Sequence, residues 1–396
     1  MAAKWDPVSP EFRINPYPIY EVLVEEEPLH QSPYGPLVIS RYEDIMAVLR
    51  HPGASNDFRK SPQWGPLFEE PEAPAPSFLF LDPPDHTRLR GLVNRAFTPK
   101  RIEQLRPRAQ QIVDEILEKA AAAGGMEVVS ELAFPLPVLV ICELLGVPAE
   151  DVGRFKDWSA AMARGLDPGF TLPPGMQQRF RELRKSALEY FGELMERRRK
   201  SPGNDLLTGL IEAEEQGESL SEREVLATLN LLLIAGHETT VNLIANGFLA
   251  FGRQPEQYRR LREDPSLVRS AVEEVLRFDP PVHIMGRLPL EDIEIPSGTV
   301  PSFADVVLLP AAANRDPRQF PDAGVFDIGR SDNRHLGFGF GIHHCVGAPL
   351  ARMEAQVVFS SLAKGFEKIE AERDPPEYKD NITLRGIASL PVSLST

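Results

Sequence analysis

The chain has 396 residues, 42% hydrophobic and 26% charged, close to the globular average, which excludes a disordered, fibrous or low-complexity protein. An excess of 58 acidic over 43 basic side chains leaves a net charge of -15, a field that repels phosphate backbones and anionic lipid, so no nucleic-acid or membrane partner is expected. The two cysteines, Cys142 and Cys345, cannot build a disulfide framework, and no charged-then-apolar leader precedes Trp5-Asp6-Pro7, so a cytoplasmic protein is expected.

In chain order, the first forty residues are broken by Pro7, Pro10, Pro16, Pro18 and Pro28, with a β-like stretch at Leu37 to Ser40. A proline-rich loop, Ser61 to Pro84, surrounds Phe78-Leu79-Phe80. In Asp82-Pro83-Pro84-Asp85-His86-Thr87-Arg88-Leu89-Arg90, His86 and Arg90 share a helix face four apart, and can hold a carboxylate or be surface charge. Apolar spacing predicts helices over Ile102–Ala123, Val138–Leu145, Gln177–Lys200, Glu222–Phe251 and Pro265–Phe278, with a second long loop at Arg164 to Gly175. Short strands are expected at Ile293–Ile295, Val306–Leu308 and Leu390–Leu394. The class is mainly α with small peripheral sheets. No fixed repeat and no Gly/Ser linker divides the chain, so residues 1–396 are expected to be one domain. No apolar run approaches the ~18 to 20 residues that cross a bilayer.

Chemistry concentrates in four places. Phe338-Gly339-Phe340-Gly341-Ile342-His343-His344-Cys345-Val346-Gly347 precedes an expected helix, Ala348–Phe359; its glycines admit a flat, bulky group, and Cys345 before a helix start is favoured as a thiolate. A tight turn holding a buried thiol, or a zinc site from His343, His344 and Cys345, are the alternatives, the latter opposed by diverging consecutive side chains. In Ala235-Gly236-His237-Glu238-Thr239, Gly236 weakens a central helix capped by Ser221 and Glu224. Glu238 with Thr239 suggests proton handling, against a solvent-facing Glu and a back-bonded Thr. Glu274 and Arg277 lie three apart on one helix face, a pair that is usually exposed. The His86/Arg90 face is the fourth.

Taken in order, His86 with Arg90, Ala235-Gly236 with Glu238-Thr239, Glu274 with Arg277, and Phe338 to Gly347 resemble the signature set of the cytochrome P-450 heme-thiolate monooxygenases. The resemblance spans about Phe12 to Pro391, and Ala312-Ala313-Asn314-Arg315-Asp316-Pro317 is similar to the soluble bacterial branch. It implies a helical fold with heme b buried between the long central helix and the cysteine loop. Cys345 would be the iron ligand, tuned by the Val346 and Gly347 N–H groups and shielded by Phe338. His86, Arg90, Arg287 and His343 would hold the heme propionates, with Ala235, Gly341 and Gly347 against the cofactor. Glu238 and Thr239 would deliver protons during dioxygen cleavage, and Glu274 with Arg277 would be structural. Val325 stands where many members carry an arginine, leaving Arg330, His335 or backbone carbonyls to complete that pair. Ile295 to Phe303 also departs from the usual run, leaving its strand pairing open.

The reaction implied is insertion of one oxygen atom from O2 into a mid-sized lipophilic substrate, by hydroxylation or epoxidation. Phe80, Ile234, Ala235, Val282, Ile284, Met285 and Ile387 would form pocket walls along with the two long loops. Electrons from NAD(P)H would arrive through a separate ferredoxin or flavodoxin and its reductase, docking on Arg88, Arg95, Lys100, Arg101 and Arg352 of a monomer. A peroxide-driven peroxygenase of the same fold, or a non-catalytic heme sensor or carrier, are the competing functions; both are opposed by the retained Glu238-Thr239 pair.

Overall fold

Proline starts many of the helices. Pro10, Pro18, Pro99, Pro135, Pro255 and Pro310 occupy first or second helical positions, where no N–H is required and the fixed φ suits the opening turn. Helices Pro10–Ile14 and Tyr17–Glu26 therefore form where the prolines read as breaks. The structure, a computed structural model, describes residues 5–68, 75–215 and 220–396. The expected helices are present as Pro99–Ala123, Pro135–Leu145, Met176–Lys200, Glu222–Arg253 and Val268–Phe278, the last preceded by a separate 3-10 turn at Pro265–Leu267. Tyr42–Arg50, Phe155–Arg164, Leu206–Glu215 and Pro255–Glu263 add helices that the spacing did not announce, Asp85–Ala96 carries the His86/Arg90 face, and Ala348–Gly365 follows the cysteine loop.

The helix Glu222–Arg253 is about 48 Å long at 1.5 Å per residue and runs through the main apolar core. Ser221 caps it reciprocally: its hydroxyl accepts from Glu224 N at 3.3 Å and its N–H donates to Glu224 Oε2 at 2.8 Å. The helix continues unbroken through Gly236, so the weakening expected there does not open it. A Cβ at Gly236 would lie 2.9 Å from Ile141 of Pro135–Leu145, and the glycine instead lets those two helices approach.

The peripheral sheets are small. Leu29–Gln31, Leu37–Ile39, Val306–Leu308, Met285–Pro289 and Ala54–Ser55 form a five-stranded sheet in that order, with only Leu37–Ile39 and Val306–Leu308 parallel. Gly125–Glu127, Pro391–Ser395 and Lys368–Ala371 form an antiparallel three-stranded sheet. Pairing after Ile293 resolves into a hairpin of Ile293–Ile295 with Gly298–Val300. Near the C-terminus, Glu377–Tyr378 pairs with Ile387–Ser389 and frames a turn over 379–386. A second core fastens the N-terminal helices to the five-stranded sheet through Trp5, Tyr20, Leu23, Val38 and Ile284.

Candidate active site

Gly339 and Gly341 both take left-handed φ, 68° and 76°, which lets the loop fold back so that Cys345 N donates to Phe338 O at 2.9 Å. Cys345 is exposed as a residue, although many protein atoms lie around its thiol. Burial pushes this thiol up, against the N–H groups of Gly347 and Ala348 and the charges of Arg90 and Arg352. A cation bound at this sulfur would favour its deprotonated form. Gly347 and Ala348, rather than Val346 and Gly347, supply the N–H groups at the sulfur. Arg352 lies 4.5 Å over the Phe338 ring and forks onto Glu273 at 2.7 and 2.8 Å, fixing that ring beside the loop.

Beside the loop lies a cluster of positive and donor groups. The His86 and His343 rings are 4.4 Å apart, and both nitrogens of His86 and Nδ1 of His343 are buried without a hydrogen-bond partner. Arg90 donates to His344 O, and buried Arg287 donates to Asn56 Oδ1 at 3.0 Å and Gly286 O at 2.7 Å. Neither guanidinium forms an ion pair with a carboxylate among the described residues. Burial lowers Arg287 to about 10 and, with Arg287 and His86 adding repulsion, His343 to about 3. Orphaned donors and unpaired guanidiniums in one place are costly unless an anion joins them, so this cluster fits a carboxylate-bearing group set against Cys345. Among the described residues no three His, Cys, Asp or Glu side chains are grouped to hold a metal ion, and the zinc arrangement is not formed. His86→Ala with Arg90→Ala is expected to weaken heme retention at least tenfold more than Arg259→Ala with Arg334→Ala, two arginines on exposed carboxylate pairs. Heme off-rates from the two double variants provide the comparison; equal rates would leave only net charge as the cause.

On the central helix, Ile234, His237 and Glu238 are buried, whereas Ala235 is exposed and Thr239 half-buried, so Ala235 and Thr239 line one open stripe. Thr239 Oγ1 donates to Ala235 O at 2.9 Å, the back-bonded form. Glu238 does not face solvent: Lys379 Nζ donates to its Oε1 at 2.5 Å and to Asn242 Oδ1 at 3.1 Å. Lys379 had no signature in the sequence. Of the pocket positions, Phe80 is exposed, Val282 and Met285 are half-buried, and Ile234 is 9% exposed. Ile284 and Ile387 are not brought to the open stripe; they are covered by the second and main cores.

Both long loops are anchored. Asp82 closes the Ser61–Pro84 loop by accepting from Asn56 N at 3.0 Å and pairing with Lys60 at 2.7 Å; residues 69–74 of that loop lie outside the described residues. Asp167 of the Arg164–Gly175 loop is buried, pairs with Arg164, and accepts from Thr383 N at 2.7 Å and Ile382 N at 3.2 Å. Phe170 stacks on Tyr34 with centroids 4.9 Å apart.

Glu274 and Arg277 are fully buried, not surface charges. Arg277 forks onto Glu274 at 2.7 and 2.9 Å and donates to the carbonyls of Asn314, Ala323 and Val325. Arg330 reaches Glu274 at 3.3 Å, joined by Asn333 Nδ2 at 3.0 Å and Asp327 N at 2.9 Å. Arg330 and backbone carbonyls thus complete the pair, whereas His335 turns to Glu273 at 3.0 Å.

A mainly helical fold with small peripheral sheets, and a glycine-rich cysteine loop beside a cluster of histidine and arginine donors, set the class with which the chain is compared. Residues 28–394 match the Cytochrome P450 family model. The chain is 40% identical to cytochrome P450 CYP107DY1 of Priestia megaterium, covering 97% of each, and 40% identical to the mycinamicin IV hydroxylase/epoxidase of Micromonospora griseorubida, covering 94% of each. Ligand-free CYP164A2 of Mycobacterium smegmatis superposes with a TM-score of 0.91 at 43% identity over 98% of each chain. The chain belongs to the cytochrome P450 family and is a heme-dependent, dioxygen-consuming monooxygenase. Among the described residues no helix is long and apolar enough to cross a membrane.

Proposed function

We propose that Cys345 is the iron ligand of heme b, that His86, Arg90, Arg287 and His343 bind its propionates, and that Glu238 and Thr239 deliver protons on the opposite face. The observation that carries this reading is the cluster of four donor groups, none paired with a carboxylate among the described residues, beside exposed Cys345. Bound there, the heme iron would supply dioxygen activation and two-electron oxidation. The protein's share is positioning: Phe338 and Arg352 cover the sulfur side, and Ala235 leaves room on the central helix. Thr239 holds a hydroxyl on the open stripe, and Glu238 keeps a carboxylate one residue away, within reach of Lys379. Apolar walls from Phe80, Ile234, Val282 and Met285 favour a mid-sized lipophilic substrate such as a terpenoid, fatty acid, macrolide or aromatic, which the enzyme hydroxylates or epoxidises. Spin-state shifts of the heme absorption across such a set identify it.

Electrons come from NAD(P)H through a separate ferredoxin or flavodoxin. The docking face is smaller than composition suggests: Arg88 is held by Glu224 at 2.5 Å and Arg352 by Glu273, leaving exposed Lys100 and Arg101 as its basic part. Thr239→Ala tests the catalytic assignment. With substrate and a competent donor it should still consume reduced nicotinamide but divert most of it to hydrogen peroxide, lowering product per electron pair about tenfold or more. Coupling equal to the parent's would remove Thr239 from the relay and point to Thr240.

A further inference from the structure

One short turn, residues 379–386, touches both the Arg164–Gly175 loop and the central helix. At its start Lys379 Nζ bonds Glu238 and Asn242. In its middle, the N–H groups of Ile382 and Thr383 are both taken by the buried carboxylate of Asp167, while Thr383 Oγ1 donates to Leu166 O at 3.2 Å. At its end, Gly386 packs so closely on Asn242 that no Cβ fits, and Arg385 forks onto Asp279 at 3.0 Å. The strands Glu377–Tyr378 and Ile387–Ser389 close its base. The loop's anchor and the lysine are close in sequence: three residues join Lys379 to Thr383, and Lys379 N donates to Gly386 O at 2.9 Å.

From this geometry we propose that Lys379 is a positioning residue for Glu238, and that the turn ties the Lys379–Glu238 ion pair to the Arg164–Gly175 loop, so loop displacement loosens the carboxylate. The inference rests on the proton-delivery reading of Glu238. Titratable groups facing Glu238 are Lys379 from the turn and His237 from its own helix, whose Nδ1 is bonded to Leu233 O; the charged group facing Asp167 is Arg164. The ammonium at 2.5 Å fixes where that carboxylate sits, and a loop that lets the turn drift removes that hold.

The test uses the heme-loaded enzyme with deuterium uptake of segments 164–175 and 379–386 and the pH profile of kcat. Lys379→Met should shift the acid limb of that profile, and Lys379→Arg should restore it. Asp167→Ala, which releases the middle of the turn, should raise uptake in both segments and move the limb in the same direction by a smaller amount. In the double variant the limb should move little further than in Lys379→Met. Tyr34→Ala, which frees the loop at Phe170 without touching the turn, should raise uptake at 164–175 alone and leave the limb in place. If Asp167→Ala loosens the loop while uptake at 379–386 and the limb stay unchanged, the tie is overturned. An unmoved limb in Lys379→Met overturns the positioning role. Should Asp167→Ala lose heme, Asp167→Asn, which keeps one acceptor, carries the same comparison. An unmoved limb in Glu238→Gln instead sinks the proton-delivery reading, and the linked uptake of the two segments still decides the tie.

Discussion

Cys345→His is expected to abolish the strongly red-shifted Soret band of the reduced carbon-monoxide complex and essentially all oxygen insertion, while Cys142→Ala preserves both. The two thiols differ in surroundings. Cys142 is 2% exposed within Pro135–Leu145, and burial raises it to about 12, so it behaves as a small apolar side chain. Cys345 is an exposed residue with two backbone N–H groups directed at its sulfur and Arg90 and Arg352 nearby. A soft cation placed there gains a deprotonated sulfur whose charge these groups stabilise. Histidine keeps a metal-binding nitrogen but not the anionic sulfur, so heme can remain while the thiolate signature goes. Retention of the band in Cys345→His would overturn the assignment, and its loss in Cys142→Ala would transfer it. Cys142→Ala should cost about 1 kcal/mol of stability, the price of a small core cavity.

The cysteine loop was legible because its chemistry is local. Closely spaced glycines, a cysteine and a helix start lie within ten residues, and the turn that joins them needs left-handed φ at Gly339 and Gly341. The central helix was legible for a similar reason, since its capping box and apolar faces are contiguous in sequence. What sequence could not supply were partners brought from afar. Lys379 sits among Glu377, Tyr378 and Asp380, an ordinary charged stretch, and reaches Glu238 only because Glu377–Tyr378 pairs with Ile387–Ser389. Arg352 and Arg88 read as docking charges because their carboxylates, Glu273 and Glu224, lie 79 and 136 residues away. The N-terminal helices were hidden by Pro10 and Pro18, which break a helix interior but suit its first turn. Glu354 shows the limit from the other side. It lies in Ala348–Gly365, fully buried with neither carboxylate oxygen hydrogen-bonded, and burial holds it well above the usual carboxylate range; nothing in the structure explains its place there.

Arg277→Lys should be nearly as damaging as Arg277→Ala, although it keeps the charge. Arg277 makes five hydrogen bonds, two to Glu274 and three to the carbonyls of Asn314, Ala323 and Val325, which uses every N–H direction of the planar guanidinium. Lysine offers three donors from one point and cannot span partners spread around the edge of that plane. At least two of these groups would lose their bond in a site with no exposure, each costing about 1–3 kcal/mol. Removing the charge altogether leaves Glu274 with Arg330, Asn333 and the Asp327 N–H, which softens the usual penalty of about 3–5 kcal/mol for breaking a buried pair but does not repair the three carbonyls. Against a net stability of about 5–15 kcal/mol, either change should sharply reduce folded, heme-containing protein. Arg330→Ala should be milder, about 1–2 kcal/mol, because Arg330 meets Glu274 only at 3.3 Å and its best bond, 2.8 Å, is to Pro321 O. Denaturation midpoints and heme content for the three variants test the order. The decisive value is that of Arg277→Lys: if it lies with Arg330→Ala rather than with Arg277→Ala, charge alone holds this region together, and the fork to five acceptors is not what joins the helix Val268–Phe278 to the segment beneath the cysteine loop.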